Sequence, residues 1–152
     1  MRYIKFIIVP LFTIFVSCSS DDGGTEMQTA PVVGVWNLTE ANISIPQDPN
    51  EDGTASTNMV DELPCLTGTL TIDASGVWSA TITKLNISPV TGDFYVVTCS
   101  QTQEFSGRFS YQNSQLNLNS NSFSLMSLSG TTLIENTGQD LPGVLNYVYE
   151  KQ

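Results

Sequence analysis

Between Leu66 and Thr83 the chain alternates apolar and polar side chains with a period of two, and no other stretch restricts the fold as tightly. Leu66, Gly68, Leu70 and Ile72 are separated by threonines, and Asp73-Ala74-Ser75-Gly76 has the composition of a turn. Trp78, Ala80 and Ile82 then alternate with Ser79, Thr81 and Thr83. Successive strand side chains point to opposite faces, so the two runs predict a β-hairpin with one apolar and one polar face. That apolar face has to be covered, and more sheet is the natural cover.

The same period recurs along the chain. Gly34, Trp36 and Leu38 alternate with Val35 and polar residues, which places Trp36 toward the core. The apolar parity then moves to Ala41, Ile43 and Ile45, as a bulge or a second short strand requires. Residues 46–62 read as a long polar loop, and residues 86–93 as another around Pro89 and Gly92. Phe94 to Cys99 reads as a strand apolar on both faces, hence covered on both. Phe105, Gly107, Phe109 and Tyr111 lead through Gln112 to Gln115 into Leu116 and Leu118, a second hairpin. Phe123 and Leu125 shift parity to Met126 and Leu128, Gly130 breaks the run, and Thr131 to Glu135 continue extended. A loop with Gly138, Pro142 and Gly143 precedes a last strand, 144–150, with Leu145, Tyr147 and Tyr149 on one face. No segment sustains a period of 3.6. About eight strands joined mostly by short turns predict an all-β meander, closed as a barrel or packed as a sandwich. Closure removes exposed edges, so the expectation is an up-and-down antiparallel β-barrel.

The N-terminus carries a different signal. Arg2 and Lys5 precede an apolar run, Phe6 to Val16, of signal-peptide length and shorter than the roughly 20 residues that span a bilayer. Phe15-Val16-Ser17-Cys18 resembles a bacterial lipobox. That resemblance implies a signal peptide over residues 1–17, removed to leave Cys18 as a lipidated first residue. Residues 18–31 then form the acidic tether, which has nothing to bury, and 32–152 form the domain. At about 0.8 kcal/mol per buried CH₂, more than one acyl chain anchors a protein stably. A cysteine followed by acidic residues also resembles the export signal of surface lipoproteins of the Bacteroidota. The expected location is therefore the outer membrane, at the cell surface or on the periplasmic face.

Losing residues 1–17 leaves 135 of the 152 residues, enough for one core. Lys84, Arg108 and Lys151 remain against fifteen acidic side chains, a net charge of −12. Nucleic acid and anionic lipid surfaces both demand basic patches, so neither is an expected partner, and a monomer is expected. The sequence has no histidine, which removes the commonest general base and metal ligand. It has no G-x-S-x-G, H-E-x-x-H or P-loop pattern either. An enzyme is not expected.

Two further features bear on sites. Asp48-Pro49-Asn50-Glu51-Asp52-Gly53 fits the first half of a calcium loop, in which Asp48, Asn50 and Asp52 offer alternate oxygens and Gly53 lets the chain turn around a hard cation. Position twelve is Met59 where a bidentate Glu belongs, so Asp61 or Glu62 would complete the shell; the plainer reading is a solvated acidic loop. With Cys18 acylated, Cys65 and Cys99 are the remaining thiols. In an oxidising compartment they are expected to pair, tying the long acidic loop to the barrel wall.

The residues Gly34-x-Trp36, Leu70 to Trp78, Phe109-Ser110-Tyr111 with Leu116-Asn117-Leu118, and Tyr147 to Lys151 resemble the lipocalin-like domains of flavobacterial lipoproteins. The similarity covers residues 32–151. It implies an eight-stranded barrel with an apolar cavity at its open end, and a tryptophan packed under a basic residue from the barrel's end, for which Lys151 is the candidate here. Trp36, Trp78, Phe105, Phe109, Tyr111 and Tyr147 are the candidate lining, Phe123 joining them if they instead fill the barrel. Two functions follow: binding of a small apolar or amphipathic ligand, or a non-catalytic envelope interaction module with a filled barrel.

Overall fold

The structure, a computed structural model, describes residues 30–91, 95–136 and 141–152. The expected signal peptide, Cys18 and the tether up to residue 29 lie outside the described residues. The described chain is all-β apart from one helical turn. Its strands are β1 (Gly34–Gln47), β2 (Ser56–Asn58), β3 (Gly68–Ile72), β4 (Val77–Pro89), β5 (Tyr95–Arg108), β6 (Ser110–Gln112), β7 (Gln115–Asn117), β8 (Met126–Ser129), β9 (Thr132–Glu135) and β10 (Val144–Lys151). The helical turn α1 (Met59–Glu62) follows β2.

All ten strands form one antiparallel sheet in the order β5-β4-β3-β1-β10-β9-β8-β7-β6, with β2 added alongside β1. The two ends of that order, β5 and β6, are consecutive in the chain and joined by a single residue, Phe109. The sheet must therefore curl until its first and last strands meet. At that end the Trp78 indole N–H donates to the carbonyls of Arg108 (3.2 Å) and Leu118 (2.8 Å), and Asn119 Nδ2 donates to the same Arg108 carbonyl (3.2 Å). Away from it, no ladder joins β5 to β6 among the described residues, and the curl stays open along a seam.

The predicted first hairpin is present: β3 pairs with β4 from Gly68↔Ile82 to Ile72↔Trp78, with Leu70, Ile72, Trp78 and Ala80 buried and the threonines between them outside. The second is β6–β7, turning at Asn113 and Ser114, both of positive φ (52° and 61°), as a two-residue hairpin turn needs. The parity change after Trp36 is a bulge, not a second strand. The β1–β10 register slips between Leu38 and Glu40 and again between Asn42 and Ile43. The second slip leaves Leu145 exposed, whereas the sequence pattern placed it on the aromatic face with Tyr147 and Tyr149.

Other expectations need correction. Among the described residues the strands number ten where about eight were expected, and the polar loop contributes β2. Residues 86–89 are not loop but the end of β4, and β4 and β5 form one long hairpin from Val77↔Arg108 to Pro89↔Tyr95. Its distal half runs past β3. There only one face is covered, with Tyr95 and Val97 buried and Val96 half exposed. The loop 46–62 ends in α1, whose N-cap Asn58 accepts from Val60 N–H (3.1 Å). The same side chain accepts from Ala41 N–H (2.9 Å) and donates to the Thr39 carbonyl (3.4 Å), standing in for a strand neighbour beside the β1 bulge.

Two core clusters occupy the two ends of the curl. One gathers Val32, Trp36, Leu70, Ile72, Trp78, Leu116, Leu118, Met126 and Leu133. The other gathers Ala41, Ile43, Met59, Leu63, Leu66, Tyr95, Val97 and Leu141, so α1 and the segment after it close that end against the long hairpin. Leu38 and Tyr147 pack against both.

Candidate functional site

Between the two clusters, where the seam is open, lies a cavity of about 600 Å³. Strand alternation points Ile82, Phe105, Leu38, Tyr147 and Tyr149 into it from β4, β5, β1 and β10, the register shift between Thr83 and Leu85 brings Leu85 to the same cavity, and Leu66 contributes from the segment after α1. Asn121, Ser122, Phe123 and Ser124 form its far wall. Phe123 stands edge-on to both Trp78 (centroids 5.3 Å apart) and Phe105 (5.6 Å), a geometry that suits ring quadrupoles. Thr83, Gln103 and Glu135 add polar groups. Glu135 is buried, and its carboxylate accepts the Ser124 N–H at 2.5 Å, which fixes the wall of residues 121–124 to β9.

Of the six candidate lining aromatics, Phe105 and Tyr147 reach this cavity. Trp36, Trp78, Phe109 and Tyr111 belong to the closed end, where Trp36 and Trp78 are fully buried and the other two pack against them. Phe123 is a wall residue. The sequence reading did not single out Leu38, Ile82, Leu66 or Glu135 as lining. Glu135 was detectable in principle, because it shares the parity of the inward Leu133 and an acid on an inward strand position is unusual.

At the closed end the Trp36 indole N–H donates to the Val32 carbonyl at 2.7 Å, and Lys151 Nζ lies 5.3 Å from the Trp36 ring centroid. Lys151 also donates to the Pro31 carbonyl at 2.9 Å. This cation–π contact needs the glycine at position 34: a Cβ there would sit 2.7 Å from Lys151 Cε, and the backbone φ is +142°.

A disulfide joins Cys65 and Cys99, with Cα atoms 6.1 Å apart. It ties the segment after α1 to the distal long hairpin. Beside it the Thr83 hydroxyl donates to the Cys65 carbonyl at 2.9 Å and accepts from Thr67 N–H at 3.1 Å.

In the acidic loop, Asp48 accepts from the N–H groups of Asp52 (3.1 Å) and Gly53 (3.0 Å), Asn50 from Asp52 N–H (2.9 Å), and Asp52 from Thr54 N–H (2.8 Å). Among the described residues no three His, Cys, Asp or Glu side chains already stand together as a metal cluster. The two candidate twelfth-position substitutes differ: Asp61 is exposed and accepts from Ser56 Oγ at 3.3 Å, whereas Glu62 is buried at 3% exposure.

No protein-family model, no curated protein and no solved structure matches this chain.

Proposed function

We propose that the protein is a lipid-anchored outer-membrane protein whose curled sheet binds one small amphipathic molecule in the seam cavity, without catalysing a reaction on it. The observation that carries this reading is the cavity itself. Its volume of about 600 Å³ falls within the roughly 300–1,000 Å³ of small-molecule sites. Its wall is apolar along Leu38, Ile82, Leu85, Phe105 and Phe123, with polar groups at Gln103, Ser124 and Glu135. An apolar body against the first set and a hydrogen-bonding end at the second is the arrangement that satisfies both. A filled barrel accounts for the Trp36–Trp78 end but leaves the seam unexplained. The contact of Lys151 with Trp36 supports the lipocalin-like reading, as that resemblance implies a basic residue packed on the tryptophan.

Native mass spectrometry of the protein extracted from its own membrane is expected to show a bound small-molecule adduct. Ile82→Trp, which fills the cavity, should remove the adduct and leave the fold intact. Adduct-free wild-type spectra with no uptake of an amphipathic naphthalene sulfonate dye would refute the reading. The anchor rests on the lipobox-like context of Cys18. Cys18→Ala is expected to release the protein from membranes, and continued membrane partitioning of that variant would refute the attachment.

A further inference from the structure

A carboxylate taken out of water costs free energy unless hydrogen bonds or a cation compensate it. Glu62 is 3% exposed, and its Oε2 has no hydrogen-bond partner among the described residues. Its surroundings make this worse. The carboxylates of Asp52, Asp48 and Asp61 add like charge around it, and only the Ser56 N–H opposes them. The position is held from both sides. Met59 and Glu62, the two buried residues of α1, lie three residues apart on one face, and Met59 is fully buried in the second core cluster. The Ser56 N–H that faces the Glu62 carboxyl belongs to the ninth position of the loop that begins at Asp48.

We propose that Glu62, together with the loop Asp48–Gly53, forms a calcium site in which the buried carboxylate takes the part that position twelve, occupied by Met59, is unable to play. Asp48, Asn50 and Asp52 supply one side-chain oxygen each, the Thr54 carbonyl supplies the seventh-position ligand, and Glu62 supplies both oxygens. That makes six protein oxygens, within the six to eight that calcium takes, at about 2.3–2.6 Å. The hydrogen bonds that orient the loop leave lone pairs on the same oxygens, because a carboxylate oxygen carries two. Glu62 completes the shell in preference to Asp61, which is exposed and already bonded to Ser56 Oγ. An ion held there ties the acidic loop to α1, and through Leu63 to Leu66 it reinforces the second core cluster, at the opposite end of the seam cavity from Trp36 and Trp78. The proposal stands independently of what that cavity binds.

Calcium chloride titrated into the mature protein, followed by calorimetry and by thermal melting against an EDTA control, tests it. The expected dissociation constant is of the order of 10⁻⁴–10⁻³ M, the range of extracellular calcium modules, with a melting temperature raised by calcium and less by magnesium. Glu62→Gln is isosteric and removes the buried charge. It should melt no lower than wild type in EDTA yet bind calcium at least tenfold more weakly. Asp52→Asn changes an exposed side chain, so its folding is not at issue, and it should weaken binding in the same way; Asp61→Asn should bind as wild type does. Absence of both binding heat and melting shift in wild type at saturating calcium overturns the site. Wild-type calcium affinity in Glu62→Gln overturns the role of Glu62.

Discussion

Trp78→Phe tests whether one side chain holds the first and last strands of the curl together. The indole N–H reaches the carbonyls of both Arg108, at the end of β5, and Leu118, just after β7. Phenylalanine keeps most of the buried ring but has no donor. The Arg108 carbonyl retains the Asn119 amide, so a single acceptor, Leu118 O, is left unmatched, at about 1–3 kcal/mol. Loss of the buried second ring adds about 1.5 kcal/mol. The close approach of Gly107, where a Cβ would stand 3.0 Å from the indole nitrogen, shows how little room there is for the neighbours to fill the gap. The expected destabilisation is about 3 kcal/mol, read by urea denaturation with an unchanged slope. Amide exchange should rise most at Phe109 and residues 116–118. Trp36→Phe is the control: its indole bonds only to Val32, four residues away, so its loss should leave protection of 116–118 unchanged. A loss under about 1 kcal/mol for Trp78→Phe, or equal exchange effects in the two variants, would refute the clasp.

The Cys65–Cys99 bridge spans 34 residues, and in the chain-entropy model its removal by paired alanines costs about 4 kcal/mol, or about 15 °C in melting temperature for a domain of this size. Thr83 still holds the Cys65 segment, so the variant should fold; unchanged melting on reduction would contradict this. Asp73, in the first hairpin turn, accepts from the side chain and the backbone N–H of Ser75, which hold its carboxyl below 3.8. A carboxyl depressed in the folded state contributes stability that is present above its unfolded value and lost as pH falls through its folded value. Asp73→Asn should therefore flatten the acid limb of the stability profile; an unaltered limb would refute the assignment.

Where one strand face met the core and the other met water, the sequence was legible. The β3–β4 hairpin shows this best, since Leu70, Ile72, Trp78 and Ala80 all lie inside, as their parity requires. The middle of β5 was not legible. Residues 100–104 form an exposed stretch on the sheet's edge and carry polar side chains on both faces. With no core to face, they have no reason to alternate, and only their ladder to β4 defines them as strand. The helical turn α1 escaped for another reason: four residues are too few to display a period, and its one local mark is the cap at Asn58.

The candidate sites divide along the same line. The disulfide could be argued from counting thiols and from compartment, and the pattern from Asp48 to Gly53 was visible because its ligands are close in sequence. The lining of the cavity was not visible, because its wall is assembled from residues as far apart as Leu38 and Tyr149, and which of the aromatics reach it depends on how the curl closes. Trp36 and Trp78 are the larger side chains and the natural candidates for lining, yet they fill the closed end because β5 passes into β6 there through Phe109 alone and leaves no space between the edges. Phe105, two positions before Gly107 on the same strand, faces the seam after the edges have parted. The choice between core and ligand wall is therefore made by distance from the closure point, a property of the whole sheet. By the same logic Glu62 stands apart from Asp61 only once α1 is seen to pack Met59 inward, which carries the next residue on that face, Glu62, into the protein and leaves Asp61 in water.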